Sequence, residues 1–175
     1  MTESKSESKS ESLSLAILTV SDTRTEENDT SGDYLAAAAT EAGHQVVARA
    51  IEVDDRFLLR ARVSNWIADA GIQVILMTGG TGFTSRDATP EAISPLLEVL
   101  IEGFGELFRQ LSFEEIGTST IQSRALGGIS NNTLVFCVPG STGACKTAWN
   151  GILSTQLDST HRPCNFAELI LRGHH

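Results

Sequence analysis

The chain has 175 residues, of which 41% are hydrophobic and 20% charged, so it can form one domain with a real core and is neither disordered nor fibrous throughout. Its 22 acidic residues outnumber its 13 lysines and arginines, giving a net charge of −9. This acidity argues against nonspecific nucleic-acid binding, which needs a broad basic surface. Any anionic ligand must therefore be held locally, by backbone N–H groups, a few cations or a metal.

Residues 1–12, MTESKSESKSES, form a polar low-complexity segment with nothing to bury and are predicted to be a disordered tail. Residues 13–170 are predicted to form a single domain, and residues 171–175 a C-terminal tail. No apolar run reaches the roughly 20 residues of a membrane span, and the first residues lack the apolar core of a secretory signal. Three cysteines without a CxxC pair indicate neither a disulfide framework nor a zinc site. We therefore expect a cytoplasmic protein that binds neither membranes nor nucleic acids.

Strands and helices are predicted to alternate along the first half of the domain. The apolar run at 13–20 predicts a strand, and the alanine-rich segment 33–43 predicts a helix. Residues 45–53 follow as a second strand. Apolar side chains at three- and four-residue spacing predict an amphipathic helix over 55–70, closed by Gly71.

The alternation continues in the second half. A continuous apolar run over 73–78 predicts a strand that is buried on both faces. The sequence TPE at 89–91 predicts a helix start with its threonine as the N-cap. Residues 102–126 are predicted to be short helical pieces separated by glycines. Another buried strand is predicted over 131–140, and a helix over 141–157.

This order of elements predicts an α/β protein with a mostly parallel sheet that is covered on both faces. Sheets of this kind bind ligands outside the carboxyl ends of their strands. Three loops follow predicted strands and are therefore candidates for a binding site: 21–32, 78–88 and 139–146.

The loop 78–92, TGGTGFTSRDATPEA, gives the strongest signal for a ligand. Three glycines in four positions let the backbone turn sharply and aim several N–H groups at one anion. In the same loop, Arg86 is suited to a phosphate and Asp87 to the divalent metal that accompanies a nucleotide. The alternative is a tight turn with a solvated Arg–Asp pair.

Residues 140–147 have the spacing of a nucleotide-binding P-loop, but Cys145 stands where that motif needs its second glycine. No strand ends in an acidic residue suited to the magnesium of a P-loop enzyme. The sequence therefore argues against a P-loop NTPase. Lys146 is the only lysine outside the tail, and it is predicted either to serve the active cleft or to lie on a helix surface.

Asp54 comes directly after a predicted strand, so its carboxylate is expected at a strand's carboxyl end, either as a metal ligand or as a turn residue. Asp55 is explained as the residue that begins the next helix. The acidic residues between 22 and 29 are typical of a solvated surface. No serine or cysteine lies in a recognisable nucleophile motif, so hydrolase chemistry has no support.

Five blocks of sequence carry a resemblance to a known family. They are VSDTRTEENDTSG (20–32), TGGTGFTSRDATPEA (78–92), GFGELFRQLSFEEIGTSTIQSRA (103–125), VPGSTGACKTAW (138–149) and LDSTHRPCNF (157–166). Together they resemble the molybdenum cofactor biosynthesis protein B (MoaB) family, within the wider molybdopterin-binding group that includes the molybdopterin adenylyltransferases. The resemblance covers about residues 13–170 and implies a three-layer α/β/α sandwich, a trimer or hexamer, and a cleft for molybdopterin and ATP.

The resemblance also implies roles for individual residues. Asp54 and Asp87 match catalytic, metal-binding aspartates. The adenylyltransferase branch has a proline near Thr142, in a PGSP- or PGNP-like loop, whereas this chain has PGST, as B-type members do. The implied substrate-binding residues are Ser31, Gly32, Thr78, Gly79, Gly80, Thr81, Gly82, Arg86, Pro139, Gly140, Ser141 and Lys146.

The implied reaction joins the terminal phosphate of molybdopterin to the α-phosphate of ATP, with Mg²⁺ held by Asp54 and Asp87, and releases pyrophosphate. One alternative is a molybdopterin-binding or carrier protein that makes no adenylate, and another is a structural scaffold. The aspartate pair favours the enzyme, because binding alone needs no metal ligands. The aromatic segment 103–116 is predicted either to be a contact surface of a homo-oligomer or to cover the monomer's own core.

Overall fold

A six-stranded sheet lies at the centre of the molecule in a computed structural model that describes residues 9–173. Its strands are β1 (Ser14–Val20), β2 (Gln45–Glu52), β3 (Val74–Thr78), β4 (Val99–Leu100), β5 (Leu126–Ser130) and β6 (Thr133–Val138). Their order is β2-β1-β3-β6-β5-β4. In this order the first four strands, β2, β1, β3 and β6, run parallel to one another. Strand β5 is antiparallel to both of its neighbours, β6 and β4. The sheet is therefore mostly parallel, as predicted.

Helices cover both faces of this sheet. They are α1 (Thr30–Glu41), α2 (Arg56–Ala68), α3 (Thr89–Ile93), α4 (Glu102–Ile116), α5 (Thr142–Ala148), α6 (Ser154–Gln156) and α7 (Phe166–Arg172). Two 3₁₀ segments, Ser94–Leu96 and Gly117–Gln122, follow α3 and α4, and a π-helical turn, Trp149–Leu153, follows α5. No helix within residues 9–173 is long and apolar enough to cross a membrane.

Alternating residues of β1 enter two separate hydrophobic cores. Leu15 and Ile17 pack into the core that includes side chains of α1, α4, α5 and α7. Ala16 and Leu18 pack into the core that is formed with α2 and α3 on the opposite face. Because successive side chains of a strand point to opposite faces, one continuous apolar run supplies both cores. The fold is the expected three-layer α/β/α sandwich.

Several predicted helix boundaries differ in the structure: α1 begins at Thr30 rather than at 33, and a π-helical turn divides the helix predicted over 141–157. Helix α2 ends at Ala68 rather than at residue 70, because Asp69 adopts an extended conformation and its carboxylate accepts a hydrogen bond from the Gly71 N–H at 2.8 Å. Thr89 is not an N-cap. Ala88 holds that position, and the Thr89 hydroxyl instead donates to the Gly79 carbonyl at 2.9 Å. Both side chains make tertiary or turn contacts that the helix pattern does not reveal.

The region after α3 differs most from the prediction. The expected helical pieces are two, α4 and the 3₁₀ segment that follows it from Gly117, and α4 continues through Gly103 and Gly105. Gly105 lies against the Ala125 carbonyl, where a side chain would collide. The expected single strand over 131–140 is half of a hairpin. Asn131 and Asn132 both have positive φ and form the tight turn between β5 and β6. Strands β4 and β5 have no counterpart in the sequence-based prediction.

The aromatic residues of α4 divide between core and surface. Phe104 and Phe108 are buried, and the Phe104 ring lies 4.8 Å from that of Phe136 on β6. For these two residues the monomer-core alternative is correct. Phe113 is 55% exposed, so only part of the segment faces outward.

The predicted N-terminal tail falls largely outside the described residues, whereas residues 171 and 172 of the predicted C-terminal tail belong to α7. Residues 1–8 and 174–175 are not described, and the predictions for them cannot be compared with the structure. Within residues 9–12, the Glu11 N–H donates to the Ser159 hydroxyl at 2.9 Å, and the Ser10 hydroxyl lies 3.5 Å from the same oxygen. This part of the tail is therefore attached to the domain.

Candidate functional site

A cavity of about 400 Å³ opens at the carboxyl ends of β1, β3 and β6. The strand order reverses between β1 and β3, which is where open parallel sheets bind their ligands. Residues from all three candidate loops line the cavity, namely Ser21 and Arg24, Thr78–Gly82 with Asp87, and Pro139 with Gly140. The far wall comes from Ile116 and the 3₁₀ segment after α4, through Ser119, Gln122 and Ser123.

The glycine loop that follows β3 can be built only from glycine at its first two positions. Gly79 and Gly80 have φ values of +111° and +68°. A Cβ on Gly79 would collide with the Val20 carbonyl at the end of β1. A Cβ on Gly80 would collide with the Thr89 hydroxyl and would lie 2.7 Å from Asp54 Oδ2. The absence of side chains therefore lets the loop pass close to β1 and to Asp54.

Asp54 lies behind the glycine loop and does not line the cavity directly. Its Oδ1 accepts a hydrogen bond from the Ala88 N–H at 3.0 Å, and no donor within residues 9–173 contacts its Oδ2. Burial raises the pKa of this carboxyl, and the negative charges of Asp87 and Asp22 raise it further. Asp54 is therefore a half-buried acid with one uncommitted oxygen in a negative environment.

Asp87 lines the cavity on the other side of the loop. Its Oδ2 accepts hydrogen bonds from the Thr84 N–H at 2.8 Å and the Thr84 hydroxyl at 2.6 Å. Burial opposes ionisation, but the hydrogen bonds from Thr84 and from the Gly82 backbone outweigh it and lower the pKa of Asp87. The loop therefore holds this carboxylate ionised.

The two aspartates fit a magnesium ion that is shared with a phosphate ligand. Within the described part of the chain, no group of three or more His, Cys, Asp or Glu side chains could hold a metal by itself. Mg²⁺ is commonly bound by one or two carboxylates, with phosphate oxygens and water completing its shell. The uncommitted oxygen of Asp54 and the excess negative charge around it suit such an ion.

Arg86 does not line the cavity and is paired with Asp22. Its Nε and Nη2 both contact Asp22 Oδ2, at 2.9 and 2.7 Å, and the side chain is 65% exposed. The Asp54 N–H donates to the other oxygen of Asp22 at 3.1 Å. Asp22 is on the surface as expected, and it also joins the loops that follow β1, β2 and β3.

The start of α1 is held by a second acidic residue that the sequence interpretation placed on the surface. Asp29 is 2% exposed. Its carboxylate accepts hydrogen bonds from the Thr19 hydroxyl at 2.8 Å and the Gly32 N–H at 3.0 Å. Asp29 is therefore the buried N-cap of α1 and ties that helix to β1.

Neither Ser31 nor Ser141 lines the cavity, and only Ser31 connects two loops. The Ser31 hydroxyl donates to the Gly140 carbonyl at 2.8 Å. Ser141 is the N-cap of α5 and accepts a hydrogen bond from the Ala144 N–H. The Thr142 hydroxyl lies 3.0 Å from that of Thr30 and 3.3 Å from that of Ser31. Hydroxyl contacts therefore join the starts of α1 and α5.

Lys146 lies outside the cavity. Its Nζ is 5.7 Å from the centre of the Tyr34 ring, and it lines a separate cleft between α4 and α5. Glu115 lines the same cleft and accepts a hydrogen bond from Thr147. The structure therefore does not bring Lys146 to the glycine loop.

Arg124 is a residue of the site that the sequence interpretation did not single out. Its Nε donates to the Gly82 carbonyl at 2.8 Å and its Nη2 to the Asp87 carbonyl at 3.1 Å, while Nη1 is paired with Glu91. The guanidinium also lies 5.0 Å from the Phe83 ring centre. Arg124 belongs to the resembling block 103–125, but nothing in its local pattern indicates contacts about 40 residues earlier.

Comparison with known proteins agrees with this geometry. The family model described as "Probable molybdopterin binding domain" matches residues 16–159. The chain belongs to this family. It is 60% identical over 152 residues to molybdenum cofactor biosynthesis protein B of Escherichia coli K12, covering 87% of this chain and 89% of that protein.

Solved structures support the same assignment. A crystal structure of a molybdenum cofactor biosynthesis protein B has a TM-score of 0.88 and 40% identity, covering 95% of this chain and all of that one. The tungsten cofactor synthesizing protein MoaB from Pyrococcus furiosus has a TM-score of 0.75 and 35% identity, covering 82% of this chain and 91% of that one. The family's fold is thus shared over nearly the whole described chain.

We expect Gly80→Val to weaken the ATP binding that the family resemblance implies at least about tenfold, or roughly 1.4 kcal/mol. A β-branched side chain at positive φ would collide with Thr89 and displace the loop from Asp54. Isothermal titration calorimetry measures the affinity. Gly43→Val is the matched control, because Gly43 also has positive φ but has no atom near its missing Cβ and lies outside the cavity. Unchanged ATP affinity in folded Gly80→Val would remove the loop from the site.

Asp54→Asn should increase the free energy of unfolding at neutral pH. Because the pKa of Asp54 is raised in the folded state, ionisation destabilises the fold, and asparagine removes that charge while keeping an acceptor for the Ala88 N–H. The advantage should shrink as the pH falls through the raised pKa, since the wild-type carboxyl then becomes neutral as well. Urea unfolding at several pH values measures both effects.

The control for that experiment is Asp55→Asn, at the neighbouring N-cap of α2. Asparagine caps helices about as well as aspartate, so this variant should show no such pH-dependent gain. A loss of stability in Asp54→Asn at neutral pH would contradict the electrostatic description of Asp54.

Proposed function

We propose that the protein acts in molybdenum cofactor biosynthesis by transferring the adenylyl group of ATP to molybdopterin. Molybdopterin binding and a part in this biosynthesis are supported by the family match and by 60% identity to the Escherichia coli protein of that name. The adenylation step goes further than the family assignment. It is supported by two carboxylates that contact the same glycine loop, Asp54 beside Gly80 and Asp87 beside Gly82, of which Asp87 lines the cavity.

In this reaction an oxygen of the terminal phosphate of molybdopterin attacks the α-phosphorus of ATP. The bond from that phosphorus to the β-phosphate oxygen breaks, and pyrophosphate leaves. The attacking phosphate is already ionised at neutral pH, so the chain need not supply a base for it. Positioning and charge neutralisation are then the main contributions that the protein must make.

The described residues are suited to those two tasks. The Gly79 N–H donates to the Val138 carbonyl and the Gly82 N–H to the Asp87 carboxylate. The N–H groups of Gly80 and Thr81 would therefore be the ones that bind phosphate oxygens. Asp54 and Asp87 would hold Mg²⁺, which neutralises charge on the phosphates when it is bound. Arg124 fixes the carbonyls of Gly82 and Asp87 and so holds the loop in this form.

We also propose that the protein is a cytoplasmic homo-oligomer, a trimer or hexamer. Four large apolar side chains of α4 and the following segment are between 41% and 72% exposed in the single chain, namely Leu107, Phe113, Ile116 and Ile121. Exposed apolar surface of this kind is typical of interfaces. Ile116 also lines the cavity, so a neighbouring copy would lie beside the site.

Light scattering at micromolar concentration should therefore give the mass of an oligomer. Replacing Phe113 and Ile121 together by serine should shift the protein toward the monomer, because the exposed area would no longer favour burial between copies. Ser64→Ala on the exposed surface of α2 serves as the control. A wild-type protein that is monomeric at this concentration would refute the proposed assembly.

Asp54→Asn and Asp87→Asn should each lower adenylation by orders of magnitude. Asparagine keeps the size but not the charge that binds Mg²⁺, and the ion acts on charge in the transition state. Molybdopterin binding should change far less, because backbone donors and shape carry it. The assay mixes purified protein with molybdopterin, ATP and Mg²⁺ and measures adenylated product.

The matched control is again Asp55→Asn, which alters the neighbouring carboxylate outside the site. Wild-type adenylation by Asp87→Asn would contradict the metal role. A wild-type protein that binds molybdopterin but forms no adenylate would overturn the enzymatic proposal in favour of a carrier.

A further inference from the structure

Arg24 is the only basic side chain that lines the cavity within residues 9–173. The one other ionisable residue in its wall is Asp87, which is acidic. On a chain with a net charge of −9, a ligand phosphate gains little from the overall field. The location of the individual cations therefore matters for any anionic substrate.

The structure holds Arg24 by only one of its nitrogen atoms. Nη1 donates to the Asn28 carbonyl at 2.6 Å and to the Thr30 hydroxyl at 3.0 Å. Both partners flank Asp29, the buried N-cap of α1, so the anchor is part of a fixed helix start. No acceptor within the described residues contacts Nε or Nη2. This edge of the guanidinium carries the pair of N–H groups that suits two oxygens of one phosphate.

The neighbouring cations have no such edge available. Arg86 uses Nε and Nη2 on Asp22. Arg124 uses its three nitrogens on Gly82, Asp87 and Glu91. Lys146 lines a different cleft. Among these four cations, only Arg24 combines a place in the cavity wall with an uncommitted pair of donors.

We infer that Arg24 binds a phosphate group of the substrate through its Nε and Nη2 atoms. The inference rests on one part of the proposed function, namely that the substrate carries a phosphate group. Two sources have this chemistry, namely the terminal phosphate of molybdopterin and the triphosphate of ATP. In both cases the anchored Nη1 fixes the plane of the guanidinium, so little conformational freedom is lost when the ligand binds.

The test compares Arg24→Gln with the wild-type protein in calorimetric titrations. The ligands are ATP and molybdopterin, each beside its phosphate-free counterpart, adenosine and dephosphorylated molybdopterin. Removing a charged pair of hydrogen bonds should weaken the phosphate-bearing ligand at least about tenfold and leave its counterpart unchanged. Whichever of the two phosphate ligands is weakened identifies the source that Arg24 contacts.

Two further variants make the result specific. Arg24→Lys keeps the charge but not the planar pair of donors, so it should recover only part of the lost affinity. If Arg24→Gln does not fold, Arg24→Lys replaces it as the variant that is compared with the wild type. Arg172→Gln removes an equal charge at an exposed position on α7 and should bind like the wild type.

The inference is overturned if Arg24→Gln and the wild type bind both phosphate ligands with equal affinity. It is also overturned if Arg24→Gln weakens the phosphate-free counterparts as much as the phosphate ligands, because that result indicates a collapsed pocket. A wild-type protein that binds neither phosphate ligand would also overturn it. If the wild type makes no adenylate, but Arg24→Gln binds a phosphate ligand more weakly than the wild type does, the inference stands and the proposed reaction fails.

Discussion

The site depends on how closely the backbone after β3 passes the end of β1. At Gly79 the distance to the Val20 carbonyl leaves no room for a side chain. This approach places the next glycine against Asp54, which follows β2 on the far side of β1. Residues from three parallel strands can therefore act on one ligand, although the strands themselves are separated by the spacing of the sheet. With any side chain at this position, the loop would stand away from β1.

Negative charge is concentrated in this region rather than avoided. Asp22, Asp54 and Asp87 belong to three successive loops, and their mutual repulsion is relieved only in part, by Arg86 and by hydrogen bonds. A fold selected for stability alone would not place a half-buried carboxylate among like charges. Such an arrangement is typical of a site that binds a cation, and it makes the local structure less stable when no cation is bound.

Much of the fold could be predicted from the sequence because the buried strands are continuous apolar runs. Asp54 could be proposed because it lies two residues after β2, and Asp87 because it lies in the glycine-rich loop between β3 and α3. The rest depends on contacts between distant segments. Arg124 acts on a loop about 40 residues earlier, and Asp22 contacts a residue 64 positions later. The hydrophobic periodicity also did not predict the hairpin of β5 and β6, whose turn consists of two asparagines.

The same limit explains why the candidate cations were misplaced. Arg86 and Lys146 stand next to glycine-rich segments in the sequence, whereas in three dimensions one is paired with Asp22 and the other lies over Tyr34. Arg24 has no glycine beside it, and its place in the cavity follows from the way that the loop after β1 folds back onto the start of α1.

Thr142 shows how one residue distinguishes two kinds of loop. Its hydroxyl contacts those of Thr30 and Ser31, and it is the first residue of α5. Proline is well tolerated at a first helical position, because its fixed φ suits the helix and no N–H bond is lost. A proline here would stiffen the start of α5 but would break the hydroxyl link to α1. Threonine at this position therefore links the start of α5 to the start of α1, whereas proline would stiffen the start of α5 alone. The two kinds of loop should differ in how independently the starts of α1 and α5 move.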